Sequence, residues 1–341
     1  MTPFLLSLLV DPETKEPLTV EADQVSGERI MSGTLQTASG RKYPIINGIP
    51  RFAGSIRNPS VESFGDEWNH FNFTDFREQW LQHTVKNTFG STEAFQDRVI
   101  VDAGGGSGAQ SKWMLESGAR HVILLDLSHS VDDVVLRNID RTEHPNFDVV
   151  QCSIDAPPLR PGGVDGIVIC HNVIQHTESV PRTAAALFGL TAPGGEFVFN
   201  CYQLNDRGAF RWARWHLIYV PMRKLLSRLP FRALLAYSYV MAALRLVPGL
   251  GYILEKLILC AQGDVPRIAS ETVFGRLRRR FQATSLNTFD AFGSHHFQHH
   301  LSDEEIDCLA LSLQPDERKI LNREPYFRRP QPIGCALRVQ H

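Results

Sequence analysis

The stretch Arg98-Val99-Ile100-Val101-Asp102-Ala103-Gly104-Gly105-Gly106-Ser107-Gly108 runs from an apolar strand into a bend of glycines, and the pattern predicts a helix from Ala109 to Ser117, stopped by Gly118. Glycine has no Cβ, so the backbone at Gly104 and Gly106 can turn tightly and lie close against a ligand at a helix N-terminus. Taken alone the bend fits two kinds of ligand, because Gly104-x-Gly106-x-x-Ala109 also satisfies the dinucleotide fingerprint. Asp102, two residues before the first glycine, weighs against a pyrophosphate, which its charge would repel. It favours a cationic ligand whose ammonium it could receive. The next apolar run, His121-Val122-Ile123-Leu124-Leu125-Asp126, ends in a carboxylate whose two oxygens can take a ribose diol. A nucleotide ligand of either kind shares that need.

Two histidines follow a later apolar run, in Asp165-Gly166-Ile167-Val168-Ile169-Cys170-His171-Asn172-Val173-Ile174-Gln175-His176. The carboxyl ends of strands form the ligand edge of an open parallel sheet, and imidazole is suited to taking a proton from a hydroxyl or amine near neutrality. His176 is the candidate general base, with a hydrogen-bonded structural histidine as the bland alternative. A second cluster, His295-His296 and His299-His300, invites a metal. No carboxylate or thiolate motif accompanies it, so no metal is expected and lid residues or solvated histidines are the reading.

With Leu190-Thr191-Ala192-Pro193-Gly194-Gly195-Glu196-Phe197-Val198-Phe199 added, residues 60 to 202 resemble class I methyltransferases of the small-molecule, type-eleven family. Those enzymes carry a strand-end acid with a glycine loop, an acidic ribose residue, a fourth strand ending near a His-His-like element, and a Pro-Gly-Gly turn before strand five. The resemblance implies S-adenosylmethionine as cofactor, bound by Asp102, Gly104, Gly106, Asp126 and Asn172. His171 falls on the cofactor side, and with His176 it completes the candidate catalytic pair. One departure stands out. The family usually places an acid on the adenine amino group after strand three, where this chain has Ser153, with Asp155 two positions later. The Ser153 hydroxyl can still accept one hydrogen bond, and Ile154 can flank the adenine ring. Two rival functions remain: an RNA or protein methyltransferase, and a non-catalytic binding or scaffold protein. Against the first, the Asn-Pro-Pro-Tyr type element of amino and amide methylases is replaced by His171-Asn172-Val173-Ile174.

Positioning these residues calls for short β-branched strands at 98–103, 121–126, 147–152, 164–170 and 195–202, alternating with helices. Two strand-like runs, 318–324 and 333–339, would follow a helix opened by the capping box Ser302-Asp303-Glu304-Glu305. The expected fold is α/β: a Rossmann-like, seven-stranded, mostly parallel sheet with a helical cap insertion and a small N-terminal β-rich module. The divisions are 1–53 for that module, 54–96 for linker and N-terminal helices, 97–202 for the cofactor-binding core, 203–300 for the cap, and 301–341 for the C-terminal helix and strands completing the core. Residues 1–53 resemble the zinc-ribbon-like partner module of RNA and protein methyltransferases. Its cysteine pairs would fall at Asp11, Thr14, Gln36 and Ser39, which supply no thiolate, so no zinc is expected. The aromatics Phe64, Trp68, Phe71, Phe73, Phe76 and Trp80 are expected to pack this segment onto the next domain, with ligand contact as the alternative.

With 35 basic against 37 acidic side chains, nothing pulls the whole chain toward nucleic acid, and none is expected as a partner. The cap is locally different: from Arg207 to Leu254 it carries seven arginines and one lysine with no acid, interleaved with aromatics. Its arginines either snorkel into solvent over an apolar stripe or touch an anionic membrane face or a phosphorylated or lipid-tailed acceptor. Scattered cysteines without a Cys-x-x-Cys, no basic leader, and an apolar run from Ala233 to Leu244 too short to span a bilayer suggest a cytoplasmic protein, with peripheral contact at the inner membrane face through the cap. The expected acceptor is a small or lipid-like molecule.

Overall fold

The computed structural model describes residues 1–53, 59–71, 74–204, 206, 208–261, 271–293, 297–314, 317–320 and 336–340. The chain opens with a short helix, Pro3–Leu8, capped by Thr2, whose hydroxyl accepts the Leu5 N–H at 3.1 Å. An antiparallel sheet follows in the order β1 (Leu18–Ser26), β2 (Arg29–Thr37), β3 (Lys42–Ile46) and β4 (Ile49–Pro50). At two of the positions where a zinc ribbon would carry thiolates, hydrogen bonds hold the turns instead. Buried Asp11 accepts the N–H groups of Glu13 and Thr14 and the Tyr43 hydroxyl, while the Ser39 hydroxyl donates to Glu16.

The central sheet contains five parallel strands: β5 (Val99–Ala103), β6 (His121–Asp126), β7 (Phe147–Gln151), β8 (Ile167–Cys170) and β9 (Glu196–Asn200). Every residue of β5 and β6 is buried, as strands covered on both faces require. Alternation sorts them: Val99, Val101 and Ala103 join one core with Leu5, Leu35 and Leu187, whereas Ile100, Val122 and Leu124 join another with Trp80 and Trp113. All five expected strands are present, some shorter at their ends. The fifth stops at Asn200, and Tyr202–Gln203 form a separate strand, β10, paired in parallel with β11 (His300–Leu301). Beyond β9 lie β13 (Ala336–Gln340), antiparallel to β9, and then β12 (Glu317–Ile320), antiparallel to β13.

The order β9-β8-β5-β6-β7 reverses its direction of growth between β5 and β8. A crevice is expected at the carboxyl ends of those two strands. Beyond β10, helices including Phe231–Arg245 and Val273–Phe292 build a third apolar cluster around Tyr219, Leu234, Phe289 and Phe292. The capping box at Ser302 and Glu305 is formed in full. Among the described residues no helix is long and apolar enough to cross a membrane.

The N-terminal sheet is tied to the core by one buried carboxylate. Asp148 on β7 accepts hydrogen bonds from the Thr2 N–H (2.9 Å) and hydroxyl, Arg29 Nη1 (3.2 Å) and His121 Nε2 (2.9 Å). Burial alone would raise its pKa, but the bonds from His121 and Thr2 outweigh burial and hold it below the ordinary value of 3.8. A depressed carboxyl stabilises the fold above the unfolded pKa and loses that contribution as pH falls through the folded one. Asp148→Asn is therefore expected to cost about 3 kcal/mol in urea unfolding at pH 7, with the difference from wild type shrinking below about pH 4. Equal midpoints at pH 7 would show that the two parts do not depend on this residue.

Candidate functional site

The glycine loop leaves β5 with φ of +81° at Gly104 and +54° at Gly106, a region open chiefly to glycine. Asp102 lies beneath it, 4% exposed, and its Oδ2 accepts the Ser111 hydroxyl at 2.6 Å. Burial lifts the Asp102 pKa to about 6, against the pull of the Ser111 bond and with help from the Asp126 charge. Asp126 ends β6. Its Oδ1 accepts the Ser128 N–H (2.8 Å) and hydroxyl (2.6 Å), and its Oδ2 accepts the Gly106 N–H (2.9 Å). Of roughly four acceptor positions on a carboxylate three are filled, so Asp126 braces the loop and has one left to offer a ligand hydroxyl.

The loop is roofed by the protein's own side chains. A Cβ on Gly106 would stand 2.7 Å from the Trp68 indole, and one on Gly104 would stand 2.5 Å from Val173. Trp68 belongs to the Pro59–His70 helix, which approaches so closely that a Cβ on Gly65 would overlap the His129 ring. The aromatic segment thus packs on the core at several points: Trp80 stacks on Phe95, and Phe71 meets Phe289. Phe73 lies outside the described residues.

His171 follows β8. Its Nδ1 sits 3.3 Å from the Gln110 amide nitrogen and its Nε2 3.5 Å from the Thr84 hydroxyl. Burial lowers its pKa to about 4, so the ring is neutral at pH 7. An amide nitrogen only donates, so Nδ1 is occupied as the acceptor and His171 is a poor base. Asn172 adopts φ +61°, which asparagine tolerates better than most residues. Its N–H donates to Asn200 Oδ1 at 2.6 Å and its Oδ1 accepts Asn200 Nδ2 at 2.6 Å. Ser153 and Ile154 follow β7 beside the end of β6, where the Cys152 N–H donates to the Asp126 carbonyl. The Ser153 hydroxyl accepts the Asp155 N–H at 3.2 Å, and Ile154 is buried.

A second polar group lies beyond β8. The Nδ1 of His176 is 3.1 Å from the Phe297 carbonyl and its Nε2 is 3.9 Å from Asp290 Oδ1, while Phe64 and Tyr202 meet the ring edge-on at 5.1 and 5.5 Å. The Tyr202 hydroxyl donates to Asp290 Oδ2 at 2.5 Å. Glu67, 1% exposed, has its pKa raised well above the usual range by burial and then by the Asp290 charge. Glu67, Tyr202 and Asp290 were not singled out by sequence. They come from three distant segments, and no spacing announces them. Phe64 and Glu67 face this group from the helix whose Trp68 roofs the loop. One helix therefore touches both halves of the site, as residues three and four apart must.

Of the later histidines, His299 Nε2 bonds the Thr177 carbonyl at 3.0 Å and His300 pairs with Tyr202 across β10 and β11. His295 and His296 lie outside the described residues. No group of three or more His, Cys, Asp or Glu able to hold a metal occurs among the described residues.

Residues 101–199 match the family described as a methyltransferase domain. No curated protein matches the chain. Among solved structures, an S-adenosylmethionine-dependent methyltransferase from Mesorhizobium loti aligns at 24% identity and TM-score 0.31, over 36% of this chain and 55% of that one. The complex of the Haloferax volcanii Trm112 methyltransferase activator with a protein described as a methyltransferase aligns at 17% and 0.34, over 45% and 67%. A protein described as an S-adenosyl-L-methionine-dependent methyltransferase from Methanococcus maripaludis aligns at 18% and 0.34, over 43% and 66%. The alignments span about half the length of the first relative and two thirds of the others. The matched domain and the five-stranded parallel sheet support a class I, Rossmann-like methyltransferase. Family and fold imply S-adenosylmethionine as the cofactor.

Proposed function

We propose that this chain methylates a small-molecule or lipid-like acceptor, using S-adenosylmethionine bound over the glycine loop. The observation that carries the reading is the buried carboxylate of Asp102 beneath the loop, a charge maintained at a cost that a cationic ligand would offset. Asp126 would offer its remaining acceptor position to a ribose hydroxyl, Ser153 and Ile154 would border the adenine, and the Asn172–Asn200 pair would fix the loop after β8. The bound cofactor supplies an electrophilic methyl group. Direct displacement asks the protein mainly to align the acceptor and exclude water. Trp68 and Val173 do the excluding, and the Trp68 indole must shift for a nucleoside to reach Gly106. His176 would take the acceptor's proton.

The divisions follow from the same reading. Residues 97–202 would bind the cofactor, the helices within 203–300 would cap the acceptor side, and residues 1–53 would brace the β7 edge. The cap's charge is only partly on its surface: Arg214 and Arg245 are buried, the latter bonded to Glu255 and Thr284. A cytoplasmic protein touching the membrane face through the remaining basic residues is consistent with this.

Calorimetry tests the proposal. The protein is expected to bind S-adenosylmethionine with micromolar affinity and with a change in tryptophan fluorescence as Trp68 moves. Absence of binding would favour the scaffold alternative. Label from methyl-tritiated cofactor is expected in organic extracts; label in RNA or protein fractions alone would select the other rival.

A further inference from the structure

The helices beyond β10 line a concavity whose walls include none of the residues assigned above to the cofactor. A cavity of about 610 Å³ is lined by Trp215, Tyr219, Arg223, Lys224, Arg228 and His300, with Leu204, Ser227 and Gln298 among its other walls. Among the described residues that line it, three are cationic and none is a carboxylate. Arg223, Lys224 and Arg228 bring like charges together on these walls, an arrangement that a bound anion would relieve.

The remaining walls suit an oxyanion. Ser227, Gln298 and Trp215 can donate hydrogen bonds to phosphate oxygens, and arginine offers the planar fork that phosphate geometry matches. His300 has its pKa lowered to about 4 by burial and then by the Arg223 charge, against a bond to the Gln298 backbone that raises it, so its neutral ring adds no further repulsion. Arg223 and Tyr219 both line the cavity, and the Arg223 charge acts on the Tyr219 hydroxyl.

Packed rings link the wall of this cavity to the candidate acceptor side. His300 meets Tyr202 at 5.3 Å between ring centres, and Tyr202 meets His176 at 5.5 Å. A group seated among the arginines would therefore lie two aromatic contacts from the candidate base. The same run of helix also exposes apolar side chains: Leu217 is 66% and Leu225 62% accessible.

We propose that this cavity binds a phosphate group carried by the acceptor, so that the substrate is a phosphate-bearing molecule anchored by Arg223, Lys224 and Arg228 with its nucleophile toward His176. Anion binding by the cavity stands on its own; the statement that the anion belongs to the acceptor rests on the methyltransferase reading. Chemistry common to a soluble phosphate ester and a lipid headgroup is what the walls recognise.

The test uses the full chain at fixed ionic strength. Inorganic phosphate is titrated while tryptophan fluorescence is followed, and co-sedimentation is measured with phosphatidylcholine vesicles with and without phosphatidic acid. S-adenosylmethionine calorimetry is run on the same preparation. Saturable binding is expected, weakened at least about tenfold in the Arg223→Gln/Arg228→Gln double variant, with cofactor affinity unchanged. Should that variant fail to fold, exposed Lys224→Gln is expected to weaken binding severalfold. Binding to free phosphate alone points to a soluble ester, and binding confined to vesicles with phosphatidic acid points to a lipid; either supports the proposal. No saturable binding to either probe, or equal binding by the variants, overturns it. Loss of cofactor binding with phosphate binding intact would instead overturn the methyltransferase reading.

Discussion

Asp102→Asn is expected to lower S-adenosylmethionine affinity by roughly a hundredfold or more, the cost of removing one partner from a buried charge pair, and at the same time to stabilise the ligand-free protein. The two effects share one cause. The folded Asp102 pKa of about 6 lies above the ordinary 3.8, so between those values the folded state binds more protons than the unfolded one. Stability therefore falls as pH rises through that window, and the full cost of the buried charge is present above pH 6. Asparagine mimics the protonated form and removes that cost, a gain of about 2–3 kcal/mol at pH 8 that fades as pH falls toward 4. Wild-type affinity for the cationic cofactor should climb with pH up to about 6 and then level off, whereas the variant should be flat. Urea unfolding at pH 5 and 8, with calorimetry across the same range, measures both. An Asn variant that binds the cofactor as well as wild type would remove the basis of the functional proposal.

That residue was visible in the sequence because its context is local: an apolar strand, an acid and a glycine bend within eleven consecutive residues. The five parallel strands were visible for a related reason. Burial on both faces forces continuous apolar runs such as Val99–Val101 and Val122–Leu125, and nothing distant can alter that demand. The capping box at Ser302 is likewise a three-residue relation. What pattern reading missed is what depends on tertiary approach. Asp126 was legible as a ribose ligand, but its bond to the Gly106 N–H joins residues twenty apart. Asn200 looked like the middle of a strand, since only the fold reveals its pairing with Asn172. The roof over the loop was least legible, because Trp68 sits in an aromatic run whose spacing does not say which ring meets a glycine and which a neighbouring ring.

The Pro59–His70 helix couples the two halves in a way no motif suggests. Trp68 presses on Gly106, Phe64 meets His176, and buried Glu67 feels the Asp290 charge. On the proposed reading, if the nucleoside is admitted by a shift of the helix itself, Phe64 and Glu67 move with Trp68, and the surroundings of His176 and Asp290 change with cofactor entry. The burial of Glu67 gives that link an electrostatic component, since admitting water beside it would favour its ionised form.

His176→Gln carries the largest expected kinetic effect, because the geometry assigns its ring nitrogens. The Phe297 carbonyl can only accept, so Nδ1 bears the hydrogen and Nε2 keeps its lone pair. Asp290, 3.9 Å from Nε2 and braced by the Tyr202 hydroxyl, would stabilise the imidazolium formed when Nε2 takes a proton from the acceptor. Glutamine can keep the bond to Phe297 but cannot accept a proton near neutrality. Transfer of label from methyl-tritiated S-adenosylmethionine into one reference organic extract is expected to fall by about 10²–10⁴-fold, the usual worth of a positioned base. Cofactor affinity should stay within about twofold, since His176 lies apart from the loop that Asp102 and Asp126 hold. Asp290→Asn should lose less, because it weakens stabilisation of the imidazolium and leaves the base in place. A purely structural histidine makes the opposite forecast, a lowered unfolding temperature with undiminished label transfer, and that pattern would return His176 to the core.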